Sequence, residues 1–434
     1  MTNDKESKKE RIKSLLKQIH QVGEIGDLKE EFKELLRKIS PLEIPVVEQE
    51  LLEEGVDAAK IASMCDIHVE LFRESVEEEF DLEKLEKGHP LRGFYLENEQ
   101  ITKDAEKLGL AVKDFRKQDS NGKNFQILTE FARKLNGVGR THYNREEMLL
   151  LPYIERRGIT SVPNVLWRKH DECRENIKKL LGLLGKKEES AESSRKRILD
   201  TANEVTQELI DMVFRENNIL YPTLKELLSE GEWLAVFNQS NQIGYYEINP
   251  KEWSTDEELK QPYEVVGQLD TDQFSALPDE VRNMIDEKSH KGDRYELVNE
   301  DDLSLEEGFL NIDELKKIFS SLPIDVTYID KNDRVKFFSG GERIFPRTKT
   351  ILGRPVQNCH PPKSVHVVNE ILEEFKAGNR DKAEFWIRLG PKFAHITYLP
   401  VRDDEGQYMG TIEVTQDIKE IRELEGERRL LDWD

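Results

Sequence analysis

Residues 141–155, THYNREEMLLLPYIE, are nearly rewritten about 70 positions later as DMVFRENNILYPTLK, residues 211–225. Aligned, Arg145 stands over Arg215, Glu146 over Glu216, Leu150 over Leu220 and Pro152 over Pro222, while His142 stands over Met212. On a helix His142 and Glu146 project from one face a turn apart, so both can reach one ion inside a bundle. Glu216 takes the equivalent place in the second copy.

Around this repeat the apolar spacing is helical in four segments: Leu91 to Leu108, Phe125 to Arg157, Val162 to Leu184, and Ser190 to Leu228. Polar or glycine-bearing joints separate them (KQDSNGKN, RRGITS, LGKKEES), which predicts an antiparallel four-helix bundle over residues 87–233. The other two helices begin near a histidine each, His89 in KGHPLRGFYLEN and His170 in RKHDECREN. The bundle is expected to turn His89, His142, Glu146, His170 and Glu216 toward one axis as metal ligands. Imidazole with carboxylate suits iron or manganese, and carboxylates from opposite helices can bridge a pair of ions. Cys173, one turn after His170, is expected to be a small buried hydrophobe. Glu97, Glu147 and Asp171 are expected as carboxylates around the ligands or in solvent.

The segments GHPL, HYNREEMLLLP, WRKHDE and FRENNILYP resemble the hemerythrin-like (HHE) cation-binding family, over about Lys87 to Ser229. The resemblance implies a non-haem di-iron centre with the same five residues as ligands and the two glutamates as bridges. Met212 departs from it, standing where many members place a further histidine. A thioether is a soft ligand for a hard iron site. One iron would then have an open place for water, dioxygen, nitric oxide or peroxide, and a mononuclear or non-iron site stays possible.

Beyond the bundle, residues 234–307 are mixed, proline-bearing and acidic, and are expected to form a connector. Residues 308–421 give two strands about the Asn332-Asp333 turn, then helical text, then three strands, an α+β domain with one antiparallel sheet. YIDKNDRVKFFS and GTIEVTQDI resemble a PAS sensor domain, which implies a pocket for haem, flavin, a small metabolite or nothing. Cys359 and His360 are the candidate axial haem ligands, although Pro361-Pro362 is expected to start a helix that His360 flanks. Residues 422–434 are expected to close the chain as a charged amphipathic helix.

Residues 8–80 read as short helices. A helix-turn-helix look-alike there carries five glutamates from Glu70 to Glu79 against Arg73, which points to packing or protein contact and not to DNA. The three-part order is similar to an uncharacterised prokaryotic family that combines an N-terminal helical domain of unknown function with hemerythrin-like and PAS domains.

Acids outnumber bases 88 to 65 in the 434 residues, and the net charge of -23 repels nucleic acid and anionic membranes. Three widely separated cysteines, Cys65, Cys173 and Cys359, fit reduced thiols in a cytoplasm. The expected function is a cytosolic redox or gas sensor with a signalling protein as partner, and a homodimer is allowed. A di-iron enzyme or iron donor in stress repair, and a metal-free PAS scaffold, are the alternatives.

Overall fold

The computed structural model describes residues 84–116, 123–185, 192–265, 292–341 and 343–428. The N-terminal helices expected over 8–80, with Cys65, lie outside the described residues. The chain divides into two units, residues 1–296 and 297–434.

The first unit is the helical bundle. Helix α1 (Pro90–Arg116) opens on a proline, whose missing N–H costs nothing at that position. Its Leu91, Phe94, Tyr95, Ile101, Ala105, Leu108 and Val112 are buried at three- and four-residue intervals. Helix α2 (Lys123–Leu135) is joined by a 3-10 turn, Val138–Arg140, to α3, residues 142–156. With α2 and α3 together as one, α4 (Ser161–Leu184) and α5, residues 192–227, complete the four. Helix α1 packs on α2 and α5, and α4 packs on both α2 and α5, so the four close into a ring around one core. Among the described residues no helix is long and apolar enough to cross a membrane.

The repeated line leaves a specific backbone signature. Within α3 the α-helix His142–Arg145 gives way to a π turn, Glu146–Leu150, before Leu151–Arg156; within α5, Glu192–Arg215 gives way to a π turn, Glu216–Leu220, before Tyr221–Leu227. Pro152 and Pro222 follow each π turn at matching places. A helical proline cannot donate to the carbonyl four residues back, and its ring crowds that carbonyl. The ladder slips by one, and Leu151 N–H bonds Glu146 O as Tyr221 N–H bonds Glu216 O. Each π turn thus begins on the glutamate of the repeat.

The bundle extends past the expected boundary at 233. Helix α6 (Glu230–Ile243) is closed at its start by a capping box between Ser229 and Glu232, and buried Glu232 also takes Arg157 through Nη2 at 2.8 and 2.9 Å. Residues 244–265, within the expected connector, form a strap on the bundle. Tyr246 and Trp253 are buried, the Tyr246 hydroxyl donates to Asp104 (3.1 Å), and the Tyr153 hydroxyl donates to Lys260 O (2.8 Å). The approach is close: a Cβ on Gly231 would run into Glu258 O.

The second unit is the expected α+β domain. A two-residue hairpin, β1 (Leu303–Ser304) and β2 (Phe309–Leu310), precedes α7 (Ile312–Ser321), capped by Asn311. Strands β3 (Asp325–Asp330), β4 (Val335–Phe338), β5 (Ala383–Leu389), β6 (Lys392–Arg402) and β7 (Tyr408–Asp417) form an antiparallel sheet in the order β4-β3-β7-β6-β5. Asp333 supplies the left-handed residue of the β3–β4 turn (φ 62°), and Asp330 accepts the Asn332 and Arg334 N–H groups. Helix α8 (Val365–Ala377) lays Leu372 and Phe375 into the core and stops at left-handed Gly378. Of the expected closing helix, the described residues form a 3-10 turn, Ile421–Glu423, and a non-helical stretch over 424–428; 429–434 lie outside the described residues.

Candidate metal centre

Four of the five expected ligands meet in the middle of the bundle. His142 on α3, His170 on α4, and the two glutamates that open the π turns are all 0% exposed. His142 Nε2 lies 3.6 Å from Glu146 Oε1 and 3.3 Å from Glu216 Oε2; His170 Nε2 lies 3.2 Å from Glu146 Oε2 and 3.8 Å from Glu216 Oε1. Each carboxylate therefore spans the two imidazoles. One ligand atom from each of His142, Glu146 and Glu216 falls within 4.8 Å of the others.

A near-twofold arrangement surrounds them. His142 Nδ1 faces Glu97 Oε2 at 2.9 Å, and His170 Nδ1 faces Glu147 Oε1 at 2.8 Å. An ionised carboxylate only accepts, so each imidazole carries its proton on Nδ1 and directs an Nε2 lone pair inward when neutral. Each outer carboxylate is itself held by an arginine. Arg145 Nη1 donates to Glu97 Oε1 (3.1 Å), and Arg174 donates to Glu147 at 2.8 and 2.7 Å. Rings fix the imidazole planes: Tyr143 stacks on His170 at 4.0 Å, and Phe94 meets His142 edge-on at 5.7 Å. The Tyr221 hydroxyl donates to Glu146 Oε1 (2.7 Å) and receives the Asn98 amide (3.3 Å).

Electrostatics in this buried core are strong. Burial opposes charge on His142, but Glu146, Glu216 and Glu97 outweigh it and push its pKa up to about 10. His170 is likewise raised to about 10 against burial, by Glu146, Glu147 and Glu216. Burial would raise Glu216, yet the two histidines bring it down to about 2, whereas burial and the neighbouring Glu216 hold Glu146 above the usual range. The two imidazoles therefore face Glu146 and Glu216, while Arg145 and Arg174 offset the outer carboxylates Glu97 and Glu147.

The residues also pass a test of fit for a cation. Among the described residues, Glu146 Oε2, Glu216 Oε1 and His170 Nε2 are buried polar atoms with no hydrogen-bond partner. All three face the same group, and buried polar atoms are ordinarily satisfied. A cation bound there would satisfy them together.

The remaining expected residues lie elsewhere. His89 sits eight residues before Glu97, about 12 Å along the helix axis at 1.5 Å per residue. Its ring packs against Trp233 and Trp253, each at 5.1 Å, and its Nδ1 accepts the Leu91 N–H. Burial and Lys225 bring its pKa down to about 4. Met212 and Cys173 are buried in the core, and burial pushes the Cys173 thiol up to about 12. Asp171 pairs with Arg174 at the surface. In the second unit, the Cys359 thiol is 3.8 Å from Pro355 O and His360 Nδ1 donates to Val356 O (3.0 Å), so both turn back on the 3-10 turn Val356–Cys359. Pro361 precedes a further 3-10 turn, Pro362–Ser364, that leads into α8.

Sequence reasoning missed Asn98, Tyr143, Arg145, Arg174 and Tyr221. A signal existed for Asn98: with Glu97 it interrupts the apolar stripe of α1 between Phe94 and Ile101, and a polar pair on a core stripe calls for partners.

Comparison with protein families gives three matches: the family of unknown function DUF438 over residues 12–78, the hemerythrin HHE cation-binding domain over 89–224, and a PAS domain over 315–419. No curated protein matches the chain. Among solved structures, a C-terminal domain from Streptococcus mutans is 32% identical, over 29% of this chain and 97% of that one, with a TM-score of 0.28. The PAS domain of a protein from Colwellia psychrerythraea is 16% identical, over 25% of this chain and 98% of that one (TM-score 0.20). A sensory box sensor histidine kinase from Vibrio cholerae is 10% identical, over 24% of this chain and 87% of that one (TM-score 0.19). The chain is built from a DUF438 region, a hemerythrin HHE cation-binding domain and a C-terminal PAS domain, in that order.

Proposed function

We propose that the bundle holds non-haem iron and that the chain senses an oxidant or a diatomic gas, with the PAS domain serving the readout to a partner protein. The observation that carries this reading is the set of buried, unpartnered ligand atoms on Glu146, Glu216 and His170, closed by His142. Imidazole with carboxylate suits iron or manganese, and two carboxylates that each span both histidines suit one ion or a bridged pair. Bound iron would supply reversible electron transfer and an exchangeable coordination position.

The chain's own residues do the rest. Glu97 and Glu147 hold the Nδ1 protons and keep the Nε2 atoms pointed inward. Arg145 and Arg174 hold those carboxylates, so the imidazoles resist rotation. Tyr221 fixes one oxygen of Glu146 and leaves the other to the metal. On the Met212 side, a cavity of about 160 Å³ is lined by Met212, Cys173 and Arg215, among others, and by none of the four candidate ligands.

Metal analysis with a visible spectrum on anaerobically purified protein, before and after air, tests the iron reading. One or two irons per chain with a spectrum that changes on oxidation supports it; protein that carries no iron under those conditions refutes it. The sensing reading has its own test, hydrogen exchange of oxidised, reduced and nitric-oxide-treated protein. Identical protection in all three states would defeat sensing and leave the metal site standing.

A further inference from the structure

A cavity of about 380 Å³ opens where the start of α1 faces the strap after α6, outside the ligand group. Its charge is unlike that of the chain. Lys87, Arg92, Arg145 and Lys251 line it together with His89, and no carboxylate does, in a protein of net charge -23. Leu96, Phe237 and Ile248 give it an apolar wall. Gly88 and Gly93 line it beside Pro90, and the N–H groups of Leu91, Arg92 and Gly93 bond back to His89, so the side chains and not the helix end supply its charge.

The independent sign of a ligand is Arg145. Its guanidinium is 1% exposed and lies between the Phe94 and Tyr245 rings, at 4.1 and 4.3 Å. Glu97 takes its terminal nitrogens, but its Nε has no hydrogen-bond partner among the described residues. A buried guanidinium N–H left unbonded is costly, and Arg145 is part of the cavity lining. Glu97 is counted against Arg145 and Arg92 Nη1 is held by Leu85 O, so the charge at the mouth comes from Lys87 and Lys251. Glu86 is taken by the Trp253 indole (3.0 Å) and lines an adjoining cleft with Glu252, not this one.

We propose that this cavity binds a small organic oxyanion, a carboxylate or phosphate headgroup on a compact apolar body. Arg145 and Arg92 take the headgroup, Lys87 and Lys251 guard the mouth, and Phe237 and Ile248 pack on the carbon body. The volume is at the lower end of small-molecule pockets, which admits a body of one ring or a short chain. None of these residues is one of the four candidate ligands, although Arg145 also holds Glu97 behind His142, and for that reason binding is read with and without metal.

The test is isothermal titration calorimetry of the full chain, both as purified and after chelator treatment. Phenyl phosphate and benzoate are the anionic probes, and benzyl alcohol is the neutral control. Saturable binding of at least one anion, one per chain and at least tenfold tighter than benzyl alcohol, is expected. The tighter of the two identifies the headgroup. Lys87→Glu with Lys251→Glu changes two exposed side chains, so folding is kept while affinity for the anion falls at least tenfold. Absence of saturable binding for both anions, or binding that is unchanged in the double variant, would overturn the proposal. Because binding is read with and without metal, loss of the iron proposal would leave this result intact.

Discussion

Replacing Glu147 by Gln separates the charge behind a ligand from its shape. Glu147 Oε1 accepts His170 Nδ1 at 2.8 Å, and Arg174 holds both oxygens. Glutamine keeps an oxygen for the imidazole and turns its NH₂ toward Arg174, so one guanidinium contact is lost. Arg174 stays anchored by Asn144 (3.1 Å), Gly139 O (3.3 Å) and Asp171 (3.0 Å), so His170 keeps its orientation. What changes is the negative charge that makes His170 a strong donor. Losing such a partner weakens metal binding about ten- to a hundredfold, about 1.4–2.7 kcal/mol. The neutral neighbour also lowers the basicity of His170, so fewer protons compete with metal. The deficit is therefore smaller near pH 6.5 and larger near pH 9. Competition with a chromophoric chelator reads the constant, with the surface change Glu172→Gln as control. The partner variant, Glu97→Gln, should differ. Its oxygens already accept His142, Arg145 and the Tyr246 N–H, so an NH₂ there opposes a donor and lowers folding stability by about 1–3 kcal/mol as well. Equal metal affinity in wild type and Glu147→Gln across that pH range would refute the carboxylate–imidazole reasoning.

His142→Ala or Glu146→Ala should abolish stoichiometric metal by elemental analysis, while Met212→His, in the same bundle core, should keep or increase it. In metal-free protein, the histidine pKa values raised to about 10 give a signed prediction. Their stabilisation is fully present below the unfolded value near 6.5 and fades as pH rises through about 10, so the urea midpoint of metal-free protein should fall over that window, and metal-loaded protein should fall less. Gly231→Ala drives a Cβ into Glu258 O and should lower stability by about 1–3 kcal/mol in urea unfolding, with metal content unchanged.

Much of the bundle was legible because its signal is periodic. Each expected helical segment overlaps an observed one, and the duplicated line located both π-turn glutamates. His89 was drawn into the ligand set by its place at a helix start, which says nothing of depth along the axis. The metal group lies two turns further on, at the level of Glu97. The strap over 244–265 was illegible for another reason. It has no period, and isolated anchors such as Tyr246 and Trp253 hold it on the bundle. A buried aromatic in irregular chain is a tertiary fact that a local pattern cannot carry. In the PAS domain the alternating strands and the Asn332-Asp333 turn were local signals and were recovered, whereas the charged tail had helical spacing yet forms a 3-10 turn over Ile421–Glu423 among its described residues.

The paired π turns have a consequence for the chain's history of insertion and deletion. A π turn is an α-helix carrying one residue too many. Deleting a single residue between Glu146 and Pro152 would close that wide turn while leaving the helix beyond it close to its present phase, because the turn absorbs the extra residue locally. Tyr153 and Ile154 would stay on the core, as would Leu224 after a deletion in the second turn. The effect would fall on the turn itself: each begins on a buried glutamate, and each proline would then crowd the carbonyl four residues back. These two short runs are buffers of length, in which a lost residue is felt at Glu146 or Glu216 and not along the rest of the helix.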